Sequence, residues 1–262
     1  MSQAASTLLA LQNVDKCYDN GTLALQGVTL AIGEREFVSF LGPSGCGKST
    51  ALKMIAGLLE VTSGRIQWND NSGSANTADH AKDISFVFQE PTLMPWAKVF
   101  DNVWLPLKLK GVSRERAQPQ IDAVLAKVGL SQFAHVYPRE LSGGMKMRVS
   151  IARAMVTEPR LLLMDEPFAA LDEMTRFKLN NDTLALWTAQ QFTTIFVTHS
   201  VYESVYLSNR IIIMAARPGR VIADLRIDEP YPRSDVFRAT EQYAQWCVQV
   251  SQALQQAGEH HV

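Results

Sequence analysis

The chain has 262 residues, 47% of them hydrophobic and 19% charged, enough apolar sequence to bury a sizeable core and too much for a chain disordered throughout. Twenty-five Lys and Arg stand against 26 Asp and Glu, a formal net charge of -1. That balance removes any general electrostatic pull toward nucleic acid or anionic lipid, so a nucleic-acid partner is not expected. Cys17, Cys46 and Cys247 are too few and too scattered for a disulfide framework or a zinc site, and fit a reducing compartment.

Residues 2–15 carry no positive charge and no long apolar run, so no secretory signal is expected. Leu8 to Tyr18 and Ala24 to Ile32 read as strands around a Gly21 turn. Glu36 to Leu41 is a short, mostly apolar run that ends in Gly42-Pro43-Ser44-Gly45-Cys46-Gly47, and a helical pattern runs from Lys48 to Leu58. Ser72 to Ala81 is small and polar and predicts a surface loop. A strand over Ile84 to Phe88 follows. Between Pro91 and Pro159 strand signals stop, and Phe100 to Leu109, Arg114 to Val128 and Ser142 to Met155 have helical spacing. Leu161 to Met164 and Thr194 to Val197 are apolar runs flanked by helical segments, as parallel strands buried on both faces require. The charge-free stretch Thr183 to Tyr202 is broken by polar residues and reads as a helix end and a buried strand, not a membrane span. A β-rich pair, Arg210 to Ala215 and Arg220 to Leu225, precedes a helix expected over Val236 to Gln256.

Gly42-Pro43-Ser44-Gly45-Cys46-Gly47-Lys48-Ser49 fits G-x-x-x-x-G-K-[ST] between a strand and a helix, the context that this phosphate-binding loop requires. Glycines let backbone N–H groups turn around phosphate and the helix directs its positive end at the same place. Lys48 reaches the β/γ-phosphates and the Ser49 hydroxyl can ligate Mg²⁺; the motif's next residue, Thr50, joins the same nucleotide-binding set. Leu161 to Met164 ends in Asp165 and Glu166, two acids at the carboxyl end of a buried strand, where open α/β sheets collect ligands. Asp165 is expected in the Mg²⁺ shell and Glu166 beside the attacking water. The alternative is a pair of solvated carboxylates.

Leu141-Ser142-Gly143-Gly144-Met145, ahead of a helix, matches the signature loop of the ATP-binding-cassette ATPases, and the chain resembles that family from about Leu8 to about Leu225. The resemblance implies an α/β fold: a P-loop NTPase sheet core over residues 8–90 and 157–225, with an antiparallel β subdomain and an inserted helical subdomain over 91–156, then a helical tail over 232–262. It implies ATP and Mg²⁺ as ligands and a head-to-tail homodimer in which Ser142, Gly143, Gly144 and Met145 meet the γ-phosphate held by the opposite subunit. The family usually has Gln where Met145 stands. Taken alone, Ser142-Gly143-Gly144 reads rather as a helix N-cap followed by flexible glycines.

By the same resemblance Tyr18, 24 residues before Gly42, stacks on adenine, and Gln89 contacts Mg²⁺ and the water, the alternatives being a plain strand-end tyrosine and a surface glutamine. Asp172, in Ala169-Ala170-Leu171-Asp172, crosses to the other subunit unless it is only a helix N-cap. His199 contacts the γ-phosphate and the catalytic glutamate, whereas alone it reads as structural. Ser200 stands where the family often has Asp, with Glu203 three residues later. The runs Gln89 to Trp96, Asp165 to Asp172 and Ala216-Arg217-Pro218-Gly219-Arg220 look like the nitrate/sulfonate/taurine group of importers. That implies an energy-coupling subunit on the cytoplasmic face of the inner membrane, docked on separate permease subunits and served indirectly by a solute-binding protein. Glu90 to Val99 would line the docking groove, unless Leu93, Met94 and Trp96 belong to the insert's own core.

Three other classes are weaker. A soluble cassette acting on DNA or the ribosome would be expected to carry two cassettes or coiled-coil inserts and a basic excess. A small-molecule kinase or GTPase leaves Leu141 to Met145 unexplained, and no Asn-Lys-x-Asp element occurs. A non-catalytic module leaves Lys48, Asp165, Glu166 and His199 idle. Cys46, between a helix N-terminus and Lys48, is expected to ionise easily and react ahead of Cys17 and Cys247, the alternative being a buried, inert thiol.

Overall fold

A computed structural model of the chain describes residues 6–69, 80 and 82–259. The first strands are β1 (Thr7–Cys17), β2 (Leu23–Gly33) and β3 (Phe37–Leu41), followed by α1 (Lys48–Ile55), β4 (Ser63–Trp68) and β5 (Ile84–Val87). Three helices come next, α2 (Val99–Leu109), α3 (Arg114–Lys127) and α4 (Gly143–Met155). The chain then returns to the sheet with β6 (Leu161–Asp165), α5 (Glu173–Gln190), β7 (Thr193–Thr198), α6 (Val201–Leu207), β8 (Arg210–Ala215) and β9 (Arg220–Arg226). It closes with α7 (Asp235–Arg238) and α8 (Glu241–Glu259).

Six strands form one sheet in the order β5-β6-β7-β3-β8-β9, parallel except for β9, which pairs antiparallel to β8. Its central strands are buried on both faces, and their alternation sorts side chains into two cores. Phe37 and Leu41 of β3, Leu162 and Met164 of β6, Phe196 of β7, and Ile211 and Ile213 of β8 join α2 to α6 and α8 in one core. Val38 and Phe40, Leu161 and Leu163, Ile195 and Val197, and Ile212 and Met214 point the other way, against α1 and a second sheet. That second sheet, β2-β1-β4, is antiparallel. The fold is therefore the expected P-loop α/β core, with an antiparallel β layer on one face and helices between β5 and β6.

The structure differs from periodicity in places that local chemistry explains. The sequence pattern gives no sign of strand β4, because only Ile66 and Trp68 of its six residues are buried. Helix α1 stops at Ile55 rather than Leu58: Gly57 turns left-handed at φ 69°, and the Leu58 and Gly57 amides bond to the Lys53 and Met54 carbonyls, a Schellman stop. The single helix expected over Val236 to Gln256 is two, because the Thr240 hydroxyl accepts the Tyr243 amide at 3.1 Å and starts α8 afresh. The loop expected over Ser72 to Ala81 lies, apart from His80, outside the described residues.

Candidate active site

Strand β3 delivers the chain into the loop Gly42–Gly47, and α1 begins at Lys48. Gly47 caps that helix at φ 89°, and a Cβ there would lie 2.5 Å from Leu25 Cδ2. Only glycine fits both the backbone and the space. The Lys48 side chain is buried, and its Nζ donates to the carbonyls of Gly42 at 2.7 Å and Pro43 at 2.9 Å. Cys46 lies under it, fully buried, with Sγ 3.6 Å from Lys48 Nζ. Burial pushes this thiol up, ahead of the opposing pull of the Lys48 charge. The environment of Cys46 thus runs against the expectation of a reactive thiol and matches the alternative of a buried one, since the side chain is enclosed and desolvation opposes its ionisation.

The two acids sit where β6 ends. Ser49 Oγ, in the first turn of α1, donates to Asp165 Oδ1 at 2.7 Å, joining the phosphate loop to the strand end. Partial burial raises the pKa of the Asp165 carboxyl from its ordinary value, against the Ser49 hydrogen bond and the charges of Lys53 and Lys48. Glu166 leaves the strand in the left-handed region, φ 46°, with its amide on the Val197 carbonyl at 3.1 Å. Its Oε2 lies 3.2 Å from Nδ1 of His199, which follows the adjacent strand β7.

One cavity of about 600 Å³ gathers Tyr18, Ser44, Gly45, Gly47, Lys48, Ser49, Thr50, Gln89, Asp165 and Glu166. The Tyr18 hydroxyl is 3.2 Å from Thr50 Oγ1, which fixes the aromatic at the cavity's edge. Gly42, Pro43, Cys46 and His199 do not line it; the first two reach it through Lys48 and His199 through Glu166. Thr22, Leu23, Ala24 and Arg217 line it as well. Periodicity gave no sign of them, because Arg217 comes to the cavity only through the pairing of Gly219 with Ala24, 195 residues apart. A second cavity, about 430 Å³, lies among α5, α6 and α8 and includes Asn180, Glu203 and Tyr243.

Ser142 to Met145 and Asp172 lie outside the cavity of their own chain. Ser142 Oγ accepts the Met145 amide at 3.3 Å and caps α4, while Asp172 Oδ1 accepts the Thr175 amide at 2.9 Å and caps α5. Met145 packs half-buried against the helical core. Ser200, in the place of the family's Asp, keeps a cap on α6 by accepting the Glu203 amide at 3.3 Å. Of the apolar residues before α2, Leu93 packs on the core and Trp96 is 77% exposed. Among the described residues no helix is long and apolar enough to cross a membrane.

Residues 25–169, over half of the chain, match the family model described as ABC transporter. The chain belongs to the ABC transporter family. This ABC protein is 44% identical over 211 residues to the taurine import ATP-binding protein TauB of Rhizobium johnstonii, a match covering 80% of this chain and 79% of that one. It is 42% identical over 229 residues to the aliphatic sulfonates import ATP-binding protein SsuB of Bacillus licheniformis, covering 86% and 87%. Among solved structures, the ATP-binding cassette MJ0796, a dimer in a post-hydrolysis state bound to ADP and Pi, superposes with a TM-score of 0.73 at 34% identity. That match covers 85% of this chain and all of that one. The chain is an ABC-type ATPase.

Proposed function

We propose that this ABC ATPase powers uptake of a small anionic solute, of the sulfonate or taurine class or a related nutrient such as nitrate. In this reading it works as a head-to-tail homodimer on the cytoplasmic face of permease subunits that receive solute from a binding protein. The observation that carries the catalytic part is the gathering of Lys48, Ser49, Asp165 and Glu166 around one cavity, with His199 on Glu166. The solute class is supported by the names of TauB and SsuB.

The triphosphate lies along the Ser44–Thr50 backbone, its β/γ end toward Lys48 and the start of α1, where N–H groups and the helix dipole favour negative charge. Tyr18 offers a ring to the base. Hard oxygen donors suit Mg²⁺, and the Ser49–Asp165 contact already places a hydroxyl and a carboxylate together. These two, with Gln89 at the cavity wall, would hold the ion. Bound there, Mg²⁺ would neutralise charge that builds on the phosphoryl oxygens. Glu166 then holds the attacking water and takes up its proton as the water oxygen bonds to the γ-phosphorus and the bond from that phosphorus to the β,γ-bridging oxygen breaks, giving ADP and phosphate. His199 fixes the carboxylate's orientation. Ser142, Gly143 and Gly144 of the opposing chain close the site with N–H and O–H donors, Met145 supplies packing there, and Asp172 sits at the same seam.

Uptake of labelled taurine, an alkanesulfonate and nitrate, measured in the parent strain and in a strain deleted for this chain, tests the reading. Uptake of at least one should vanish on deletion, return with the wild-type chain, and fail to return with Glu166→Gln. Unchanged uptake of all three would remove the anion-import assignment. Absence of Mg²⁺-dependent ATP hydrolysis by the purified chain and its permease would remove the catalytic one.

A further inference from the structure

Four charged side chains line the cavity: Lys48, Asp165, Glu166 and Arg217. The first three are engaged with Gly42 and Pro43, with Ser49 and with His199 respectively. The exposed Arg217 guanidinium makes no hydrogen bond or ion pair among the described residues. Its segment is nevertheless held firmly. The Gly219 amide bonds to the Ala24 carbonyl at 3.0 Å, and the Gln26 amide bonds back to the Gly219 carbonyl at 3.0 Å. A Cβ on Gly219 would lie 2.2 Å from the Cys46 carbonyl oxygen, so the segment rests directly on the phosphate loop. Arg217 itself is left-handed, φ 56°, a backbone that favours Gly, Asn or Asp over Arg. A non-glycine residue kept in such a conformation at a cavity wall calls for a functional reason.

Sheet order decides which part of the nucleotide the cation meets. β8, which leads to Arg217, and β6, which leads to Asp165 and Glu166, lie on opposite sides of β3 and its loop. With the γ-phosphate at the acids and the base at Tyr18, the Arg217 side is left facing the inner end of the triphosphate. We infer that Arg217 is a further nucleotide-binding residue, its guanidinium pairing with the α-phosphate. This rests on the site described under Proposed function and adds a second cation to Lys48, one that reads a group shared by ATP and ADP.

The test is calorimetric binding of ATP, ADP and adenosine to the wild type and to Arg217→Asn, Arg217→Gly and Arg217→Lys. Asn and Gly both suit the left-handed backbone, so each removes the charge without straining the loop. Both should weaken ATP and ADP alike by about tenfold. Adenosine binding should be unchanged, Lys should restore part of the loss, and the thermal midpoint should stay within about 2 °C. Wild-type affinity for ADP in Arg217→Asn would overturn the role of Arg217 and leave the site intact. An equal loss for adenosine, or a loss confined to ATP, would overturn the α-phosphate assignment. A wild-type chain that binds neither ATP nor ADP would overturn the site and this inference together.

Discussion

His199 Nδ1 lies 3.2 Å from Glu166 Oε2, an approach made possible because β6 and β7 are neighbours in register, with Asp165 opposite Val197. The left-handed turn at Glu166 directs its carboxylate across to the next strand end instead of along its own. Water activation belongs to the transition state, whereas phosphate cradling is shared with the ground state. Glu166→Gln should therefore lower turnover by about 10²-fold or more while the ATP Kd stays within about threefold. Sedimentation with Mg-ATP should show an accumulated dimer. A variant with half of wild-type turnover would take the general-base role from Glu166.

Lys48→Ala should differ in kind, raising the ATP Kd as well as lowering turnover, because in the proposed site its ammonium meets the phosphates before and during reaction. Equilibrium binding of a non-hydrolysable ATP analogue separates the two variants. Equal affinities would contradict the division of labour.

The half-buried Asp165 carboxyl has its pKa raised in the folded chain, chiefly by desolvation. The folded state therefore holds this proton more tightly than the unfolded one. Stability falls as pH rises from the ordinary Asp value through the raised one, and the charged form is a net liability at neutral pH. Asp165→Asn keeps an acceptor for Ser49 Oγ and removes that liability. It should raise the melting temperature of the nucleotide-free protein at pH 7 by about 2 °C or more while abolishing Mg²⁺-dependent turnover. The thermal gain should fade as the pH is lowered toward the ordinary Asp value. A lower melting temperature at pH 7 would show the carboxylate to be stabilising.

A site completed by a second chain can be rescued by mixing. Lys48→Ala chains and Ser142→Arg chains, each inactive alone, should together regain part of the wild-type rate, since one of the two sites in a mixed dimer has both halves intact. Ser142 also caps α4, so its loss costs about 1 kcal/mol of stability, and the melting curve of Ser142→Arg must be shown alongside. Strictly linear dependence of rate on protein concentration, with no rescue, would argue for a site within one chain.

The buried Cys46 and Cys247 should react slowly with a thiol reagent, and the half-buried Cys17 first. Peptide mass spectrometry over a time course gives the order. Early label on Cys46 with loss of ATPase would mean that the phosphate loop opens readily.

Much of the site was legible because its chemistry is local in sequence. Gly42 to Ser49 and Asp165-Glu166 each follow a strand whose apolar run is unmistakable, so their placement at strand ends could be read directly. His199 and Gln89 were legible only through family resemblance, for nothing around a lone histidine says which acid it will meet. Arg217 was opaque because it depends on Gly219 pairing with Ala24, a contact without periodicity. The same is true of β4, whose register against β1, Leu9 opposite Trp68, is set by two buried side chains. Cys46 misled for a different reason: proximity to Lys48 was visible in sequence and burial was not.

The missing side chains of the signature loop have a mechanical consequence. A Cβ on Gly144 would fall 2.6 Å from Thr175 Cγ2 and one on Gly143 3.4 Å from Leu171 Cδ2, so the start of α4 is seated directly on the start of α5. The Ser142 loop and the Asp172 loop are thus soldered into one rigid wedge whose root, Glu166, lies six residues upstream of Asp172. In the proposed head-to-tail dimer, force applied by the neighbouring chain at either loop would displace both and carry that displacement toward the Glu166 carboxylate. Chemistry in one subunit of that dimer would in this way be geared to the seating of the other.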